Sequence, residues 1–164
     1  GHPWTEADVR FMSGMIGHHA QAIEVARLAP THGASPAVRT LAARIINAQE
    51  DEIATMQQWL RDRGQPVPDA AHAHHHLMPG MLTPEQVRQL EQARGADFDR
   101  LFLTLMIQHH RGAVQMVSEL FGSYGAAQDE TVFKFASDVN VDQTTEIDRM
   151  QRMLEGMLFA NPSQ

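Results

Sequence analysis

Two pairs of adjacent histidines are the residues of this chain most suited to chemistry: His18-His19 and His109-His110. Each pair belongs to one copy of a repeated motif, which reads FMSGMIGHHAQAIEVA in the first half of the chain and FLTLMIQHHRGAVQMV in the second. A methionine precedes the histidines by three positions in both copies. Imidazole and thioether groups bind transition metals, and thioethers favour soft ions such as Cu(I). The motif therefore predicts metal binding at two related positions.

Helical geometry gives the adjacent histidines different surroundings. Successive side chains of a helix are rotated by about 100°. His19 and His110 then belong to the apolar face, whereas His18 and His109 lie on its flank. Adjacent histidines therefore do not readily chelate one ion as a pair. We expect the inward rings to be buried beside a glutamine or glutamate of a neighbouring helix.

Polar residues interrupt the apolar stripe of the second helix in each half. They are Gln49 and Glu52 in the first half, and Gln143 and Glu146 at the equivalent positions of the second. A buried carboxylate without a partner is strongly destabilising. We therefore expect Glu52 to meet an imidazole, a cation or water.

Two interpretations of this polar layer are open from the sequence. Counting back from the predicted bend places Met12 and Met15 level with Glu52, and His19 about one turn nearer the bend. Either His19 and Glu52 form a hydrogen-bonded pair among methionines that fill space, or imidazole and thioether form a soft metal site. Met15 and His18 are helical neighbours, so a site at the edge of the bundle fits the spacing as well as a buried one. The candidate ligands of the helices are Met12, Met15, His18, His19, Glu52, Met106, His109, His110 and Glu146.

A second group of candidate ligands lies in the connection between the halves. The stretch GQPVPDAAHAHHHLMPGML has prolines and glycines but no periodicity, which is typical of a long linker. It is either a solvated histidine tract that binds zinc and other divalent ions weakly, or a flexible arm that acquires copper. Its candidate ligands are His72, His74, His75, His76, Met78 and Met81.

The apolar periodicity predicts an all-α fold, a four-helix bundle made of two duplicated helical hairpins. Thr5 with Asp8 has the pattern of a capping box at the start of the first helix. We expect a single domain over residues 1–164, with repeats at about 5–63 and 97–158 joined by a linker at 64–96. The predicted long helices cover about residues 5–28, 36–63, 97–121 and 129–157, and a short extra helix starts after Thr83.

The composition narrows the range of partners. The formal net charge is -7 and no Lys/Arg cluster occurs, which argues against nucleic acid and anionic membranes. No apolar run approaches the roughly 20 residues of a membrane span. The chain contains no cysteine, so soft-metal chemistry must fall to its 10 methionines and 10 histidines.

A catalytic role has less support in the sequence. Nucleophilic catalysis is not indicated, because the chain lacks cysteine and no serine motif is apparent. Ferritin-type di-iron centres use Glu-x-x-His on inward helix faces, whereas Gln49-x-x-Glu52 stands in that place here. We therefore expect a non-enzymatic protein.

The stretch FDRLFLTLMIQHHRGAVQMV, preceded by MPGMLTPEQ and followed by QTTEIDRM, resembles the family called domain of unknown function 305. The resemblance extends from about Ala7 to Leu158. It implies a ferritin-like helical fold. Because the family includes exported, methionine-rich copper-binding proteins of the CopM type, it also implies metal binding or copper tolerance in the periplasm or outside the cell. No signal peptide opens this sequence, so that location rests on the resemblance.

The leading hypothesis is a protein of the cell envelope that binds copper, as Cu(I), and buffers or carries it. Another copper-handling protein is a candidate partner for such a carrier. A metal-dependent, oxidase-like enzyme that uses the His/Glu layers as a di-metal centre is the main alternative. A purely structural helical bundle is the third.

Overall fold

A computed structural model describes residues 3–70 and 78–160 of the chain. Within these ranges every regular element is helical, which confirms the predicted all-α class. None of these helices is long and apolar enough to cross a membrane. The elements are α1 (Glu6–Ala26), a 3₁₀ turn (Ala29–Thr31), α2 (Pro36–Asp62), α3 (Pro84–Gln92), α4 (Gly95–Phe121) and α5 (Glu130–Ala160).

Side-chain caps fix where the helices begin. Thr5 and Asp8 form the predicted capping box: the Asp8 N–H donates to Thr5 Oγ1 at 3.3 Å, and the Thr5 N–H donates to the Asp8 carboxylate at 2.9 Å. Thr83 and Gln86 form a second capping box at α3. Each cap satisfies backbone N–H groups that a first helical turn leaves without partners, and typically stabilises a helix by about 1 kcal/mol.

The start of α4 differs from the prediction, which placed it at Asp97 after a break at Gly95. The helix begins at Gly95 itself. This glycine has a φ of 61°, a left-handed conformation that glycine adopts readily, and its N–H donates to the His32 carbonyl oxygen at 2.9 Å. The turn between α3 and α4 is therefore shorter than expected. The first helix is also shorter, ending at Ala26 rather than Leu28, because the chain turns there toward the 3₁₀ segment.

The long helices pack as two pairs, α1 with α2 and α4 with α5, and α1 against α4 joins the pairs. Buried carboxylates fasten the loop of each pair to the other pair. Asp8 of α1 accepts a hydrogen bond from the Ala127 N–H at 2.8 Å, and Asp99 of α4 accepts one from the Ser35 N–H at 3.2 Å. Asp8 and Asp99 stand at equivalent positions of the sequence repeat, so this fastening recurs with it.

Residues 78–82 form a strap over the contact between α1 and α4. On α1, the Gln21 side-chain amide donates to the Leu82 carbonyl oxygen at 2.9 Å and its carbonyl accepts from the Leu82 N–H at 2.8 Å. On α4, Gly112 allows a close approach, because a Cβ there would lie only 1.9 Å from the Pro79 carbonyl oxygen. This end of the linker is therefore packed against the bundle.

Candidate metal centre

All the histidines of the repeated pairs are buried: His18, His19 and His109 are each 1% exposed, and His110 is 0% exposed. The predicted burial of the inward rings, His19 and His110, is confirmed. Of the two alternatives that the spacing left open for His18 and His109, an edge site and a buried one, their burial favours the buried one, because α4 packs against α1 on that flank. A helical wheel describes one helix and does not show which neighbour covers it.

A carboxylate of the partner helix holds each inward ring. His19 Nε2 lies 2.5 Å from Glu52 Oε1, and His110 Nε2 makes the equivalent bond with Glu146. The predicted pairing with a neighbouring helix is confirmed. The predicted level of Glu52, beside Met15 and a turn away from His19, is wrong. Residues 27–35 carry the chain past the end of α1 before α2 begins, and this displacement brings Glu52 to His19.

The two lateral rings meet each other across the contact between α1 and α4. The ring centroids of His18 and His109 are 3.9 Å apart, with an angle of 32° between the planes. His18 Nε2 lies 2.8 Å from the Pro79 carbonyl oxygen, and this nitrogen must be the donor because a carbonyl only accepts. The strap therefore both orients one ring and covers the pair.

Several ring nitrogens of this layer have no hydrogen-bond partner within the described part of the chain. They are both nitrogens of His109 and the Nδ1 atoms of His19 and His110. A buried polar atom without a partner costs about 1–3 kcal/mol, so native proteins rarely keep several together unless water, an ion or a functional role accounts for them. The layer thus presents imidazole nitrogens that are suited to ligate a metal.

Burial keeps the imidazoles of His18, His19 and His109 neutral. It lowers the pKa of His18 and of His19 from 6.5 to about 3, and it lowers the pKa of His109 well below 6.5. The nearby His110 contributes, after burial, to the lower pKa of each of these three rings. Neutral imidazoles offer a lone pair at neutral pH without competition from protons.

A carboxyl pair lies on the outer side of the layer, between α2 and α5. Burial raises the pKa of Glu52 from 4.5 to about 7. Burial and the Glu52 carboxylate raise the pKa of Asp142 to about 6, and the two side chains share a hydrogen bond. Asp142 was not among the predicted site residues. Asp142 lies one helical turn before Glu146, and this spacing could have indicated a site residue. The same spacing is equally typical of a solvated acidic surface.

The methionines predicted as ligands on the helices are buried, with Met12 and Met15 at 0% exposure and Met106 at 1%. The expectation of a flexible Met/His arm is wrong for Met78 and Met81. Met81 is only 8% exposed and Met78 is half-buried, because both belong to the packed strap. The remaining predicted linker ligands, His72, His74, His75 and His76, lie outside the described residues.

Within residues 3–70 and 78–160, no group of three or more histidine, aspartate or glutamate side chains is arranged to hold a metal ion. A carboxylate-rich di-metal centre needs such a group. A soft monovalent ion needs fewer ligand groups, and these can be imidazole and thioether.

The sequence matches the model of the family described as Domain of unknown function (DUF305) over residues 8–154. A DUF305 fragment from Deinococcus radiodurans is 30% identical, with a TM-score of 0.80, and the match covers 93% of this chain and 98% of that chain. A putative secreted DUF305 protein from Streptomyces coelicolor is 26% identical, also with a TM-score of 0.80, over 92% of this chain and 93% of that chain.

CopM in its Cu(I)-bound form is a further similar structure. It is 30% identical to this chain, with a TM-score of 0.73, and the match covers 94% of this chain and 99% of that chain. CopM has also been solved in Cu(II)-bound and Ag-bound forms. No curated protein sequence matches the chain.

Proposed function

The chain belongs to the DUF305 family, and we propose that its buried histidine layer binds Cu(I). The ring nitrogens of His19, His109 and His110 that have no partner within residues 3–70 and 78–160 carry this proposal. A monovalent soft ion in the layer would satisfy nitrogens that are otherwise buried without partners. The similar fold of CopM, which was crystallised with Cu(I), supports the choice of metal.

The carboxylates complete the donor set electrostatically. With Glu52 ionised, His19 donates its Nε2–H to that carboxylate and keeps the Nδ1 lone pair for the metal. Glu146 makes the equivalent bond with His110 Nε2 and orients that ring. Such an arrangement orients the ring, increases its basicity and balances the charge of a bound cation. Met15 and Met106, one turn from the rings, would add soft thioether donors.

The proposed physiological role is buffering or carrying Cu(I) outside the cytoplasm, with transfer to another copper-handling protein. The similarity to a putative secreted protein supports the location. The histidine tract of the linker would add weaker, divalent binding that includes zinc. No chemical step is assigned to the protein, because an ion that is stored or passed on keeps its oxidation state.

Anaerobic Cu(I) titration against a competing chelator tests the proposal, using His109→Gln as the key variant. We expect the variant to lose more than about tenfold in Cu(I) affinity, because it removes a ligand rather than an outer-shell partner. His32→Gln is the matched control. His32 is also buried, but its nitrogens are bonded to Thr31 Oγ1 and to the Glu91 carbonyl oxygen, each at 2.9 Å, so its loss should leave the Cu(I) affinity unchanged.

Equal Cu(I) affinity of the parent and His109→Gln, with both proteins folded, would overturn the proposal. The same would follow if the parent bound no Cu(I) in competition with the chelator. Tight binding of iron or manganese accompanied by turnover would favour an oxidase-like enzyme instead.

A further inference from the structure

A groove on the surface brings two methionine side chains together outside the histidine layer. Its volume is about 260 Å³, and its lining includes Met78 of the strap and Met116 of α4. Gly14 forms the floor: a Cβ built there would lie 3.3 Å from Met78 Sδ and 3.5 Å from Met116 Cε. The ends of the Met78 and Met116 side chains therefore both lie over Gly14 of α1, which has no side chain.

This groove is not required by the repeated architecture. The groove combines Gly14 of the first copy of the motif with Met116 of the second; at the equivalent positions, Leu105 of the second copy corresponds to Gly14, and Val25 of the first to Met116. Both are buried hydrocarbon side chains, Val25 at 1% and Leu105 at 5% exposure. Apolar packing at these positions is therefore possible without sulfur and without the glycine. The equivalent pair of positions, Val25 and Leu105, has neither a glycine nor a methionine.

The groove adjoins the histidine layer through the strap. Pro79 follows Met78 and also lines the groove, and its carbonyl oxygen holds His18 Nε2 at 2.8 Å. Met78 is half-buried and Met116 is 9% exposed, so the groove offers sulfur ligands at the surface, whereas His18 and His109 beneath it are closed off. An ion that enters the layer from this side must pass the strap.

We propose that Met78 and Met116 form a separate, weaker site for a soft monovalent cation, which captures Cu(I) and passes it under the strap to the histidine layer. Uncharged thioethers select such an ion over hard divalent cations. The ion moves between ligand sets as Cu(I), so the transfer requires no oxidant or reductant. The transfer step rests on the proposed function of the layer, whereas capture in the groove does not.

Loading kinetics and methionine-methyl NMR test this site. The Met78→Leu/Met116→Leu variant roughly conserves side-chain volume and should keep the fold. In stopped-flow transfer from a Cu(I)–chelator complex, we expect the variant to load the layer more slowly and to lose the weaker Cu(I) equivalent, with the affinity of the layer unchanged. The control Met153→Leu/Met157→Leu removes two methionines that line a different groove, remote from the strap, and should load like the parent.

The His109→Gln variant separates the two proposals. Titrated with Ag(I), a redox-inert substitute for Cu(I), it should still show shifted methyl signals of Met78 and Met116, even though the layer is impaired. Absence of those shifts, in this variant and in the parent, would overturn the groove site and leave the layer untouched. Parent-like loading by the folded leucine variant would overturn its role in transfer.

Discussion

Several buried histidine nitrogens have no hydrogen-bond partner in the described residues, and each such nitrogen destabilises the folded protein. His19 has one nitrogen of each kind: Nε2 has a short bond to the Glu52 carboxylate, whereas Nδ1 has no partner in the described residues. A purely structural histidine such as His32 has both nitrogens bonded. The contrast within one chain distinguishes a ring that holds the fold together from one that is available to a ligand.

Removing the Glu52 carboxylate should destabilise the protein. Glu52→Ala leaves the His19 Nε2–H buried without an acceptor, so we expect a loss of about 1–3 kcal/mol in the free energy of unfolding. Chemical denaturation measures this loss. Glu52→Gln retains an acceptor oxygen and should lose less. Equal stability of the parent and Glu52→Ala would mean that the pair contributes nothing to the fold.

The buried histidines should make the protein sensitive to mild acid. The pKa of His18 and of His19 is about 3 in the folded protein and about 6.5 when unfolded. The unfolded chain therefore binds protons that the folded state does not, so this stabilisation is complete above pH 6.5 and is lost as the pH falls toward 3. Each such ring contributes a slope of about 1.4 kcal/mol per pH unit in that window.

Glu52 acts in the opposite direction. Its pKa of about 7 in the folded state lies above 4.5, so its contribution is complete below pH 4.5 and is lost as the pH rises through 7. Asp142, whose pKa is raised from 3.8 to about 6, acts in the same direction as Glu52. We expect acid destabilisation to be steepest below about pH 4, where both compensating contributions have ended. Urea unfolding at a series of pH values measures the slope, and His18→Gln should reduce it. An unchanged slope would show that His18 is protonated in the folded state.

Single side chains could be predicted where one helix decides their environment. The apolar stripe was sufficient to place His19 and His110 inside and to give them polar partners. His18 was placed on a free flank because its burial depends on α4 and on the Pro79 carbonyl, neither of which leaves a periodic signal near His18. Pro79 acts through its backbone, so its residue type does not reveal the contact.

The packing of the strap on α4 predicts different stability effects for alanine substitutions at two helical glycines. At Gly112 of α4, a Cβ would lie 1.9 Å from the Pro79 carbonyl oxygen, whereas at Gly156 of α5 nothing lies within 4 Å. Alanine in a helix is favoured over glycine by about 1 kcal/mol. We therefore expect Gly156→Ala to be neutral or stabilising and Gly112→Ala to be destabilising, because the strap must move.

Thermal unfolding of both glycine variants measures the difference. If Gly112→Ala melted at or above the temperature of Gly156→Ala, the strap would not be packed on α4. The amide signal of Leu82, which is bonded to Gln21 in the parent, reports the same movement by NMR.

Helix starts could be read from local chemistry, since Thr5 and Thr83 each satisfy N–H groups within their own first turn. The start of α4 could not. Gly95 reads as a helix breaker, and its role depends on a hydrogen bond to His32, which lies far away in sequence. The strap was missed for the same reason: it is held by the paired bonds of Gln21 and by a backbone contact, not by apolar periodicity.

Across the molecule, the sequence repeat predicts a bundle of two equivalent halves. The linker makes the surroundings of the two halves different. The strap forms a methionine groove on one side of the contact between α1 and α4 and gives His18 a carbonyl partner, whereas neither ring nitrogen of His109 has a partner among the described residues. The repeated motifs are therefore alike in sequence but different in chemical environment. We infer that the halves contribute unequally to a shared copper site rather than forming two equal sites.

Deleting residues 71–76 should separate linker binding from bundle binding. We expect the deletion to remove weak Zn(II) binding that declines in acid, because neutral imidazoles compete with protons for metal. Cooperative unfolding and Cu(I) affinity of the layer should persist, since the deletion spares residues 78–82. Calorimetric Zn(II) titration and thermal unfolding measure the two effects. Loss of cooperative unfolding would show that the histidine tract contributes to the core.

X-ray absorption at the copper edge, on protein loaded anaerobically with a single equivalent of Cu(I), tests the histidine layer most directly. We predict a low-coordinate Cu(I) spectrum with imidazole scattering, which His109→Gln should weaken and His32→Gln should leave unchanged. A spectrum with sulfur scattering alone, or an imidazole signal that is the same in His109→Gln, would place the metal outside the layer and contradict the proposed site.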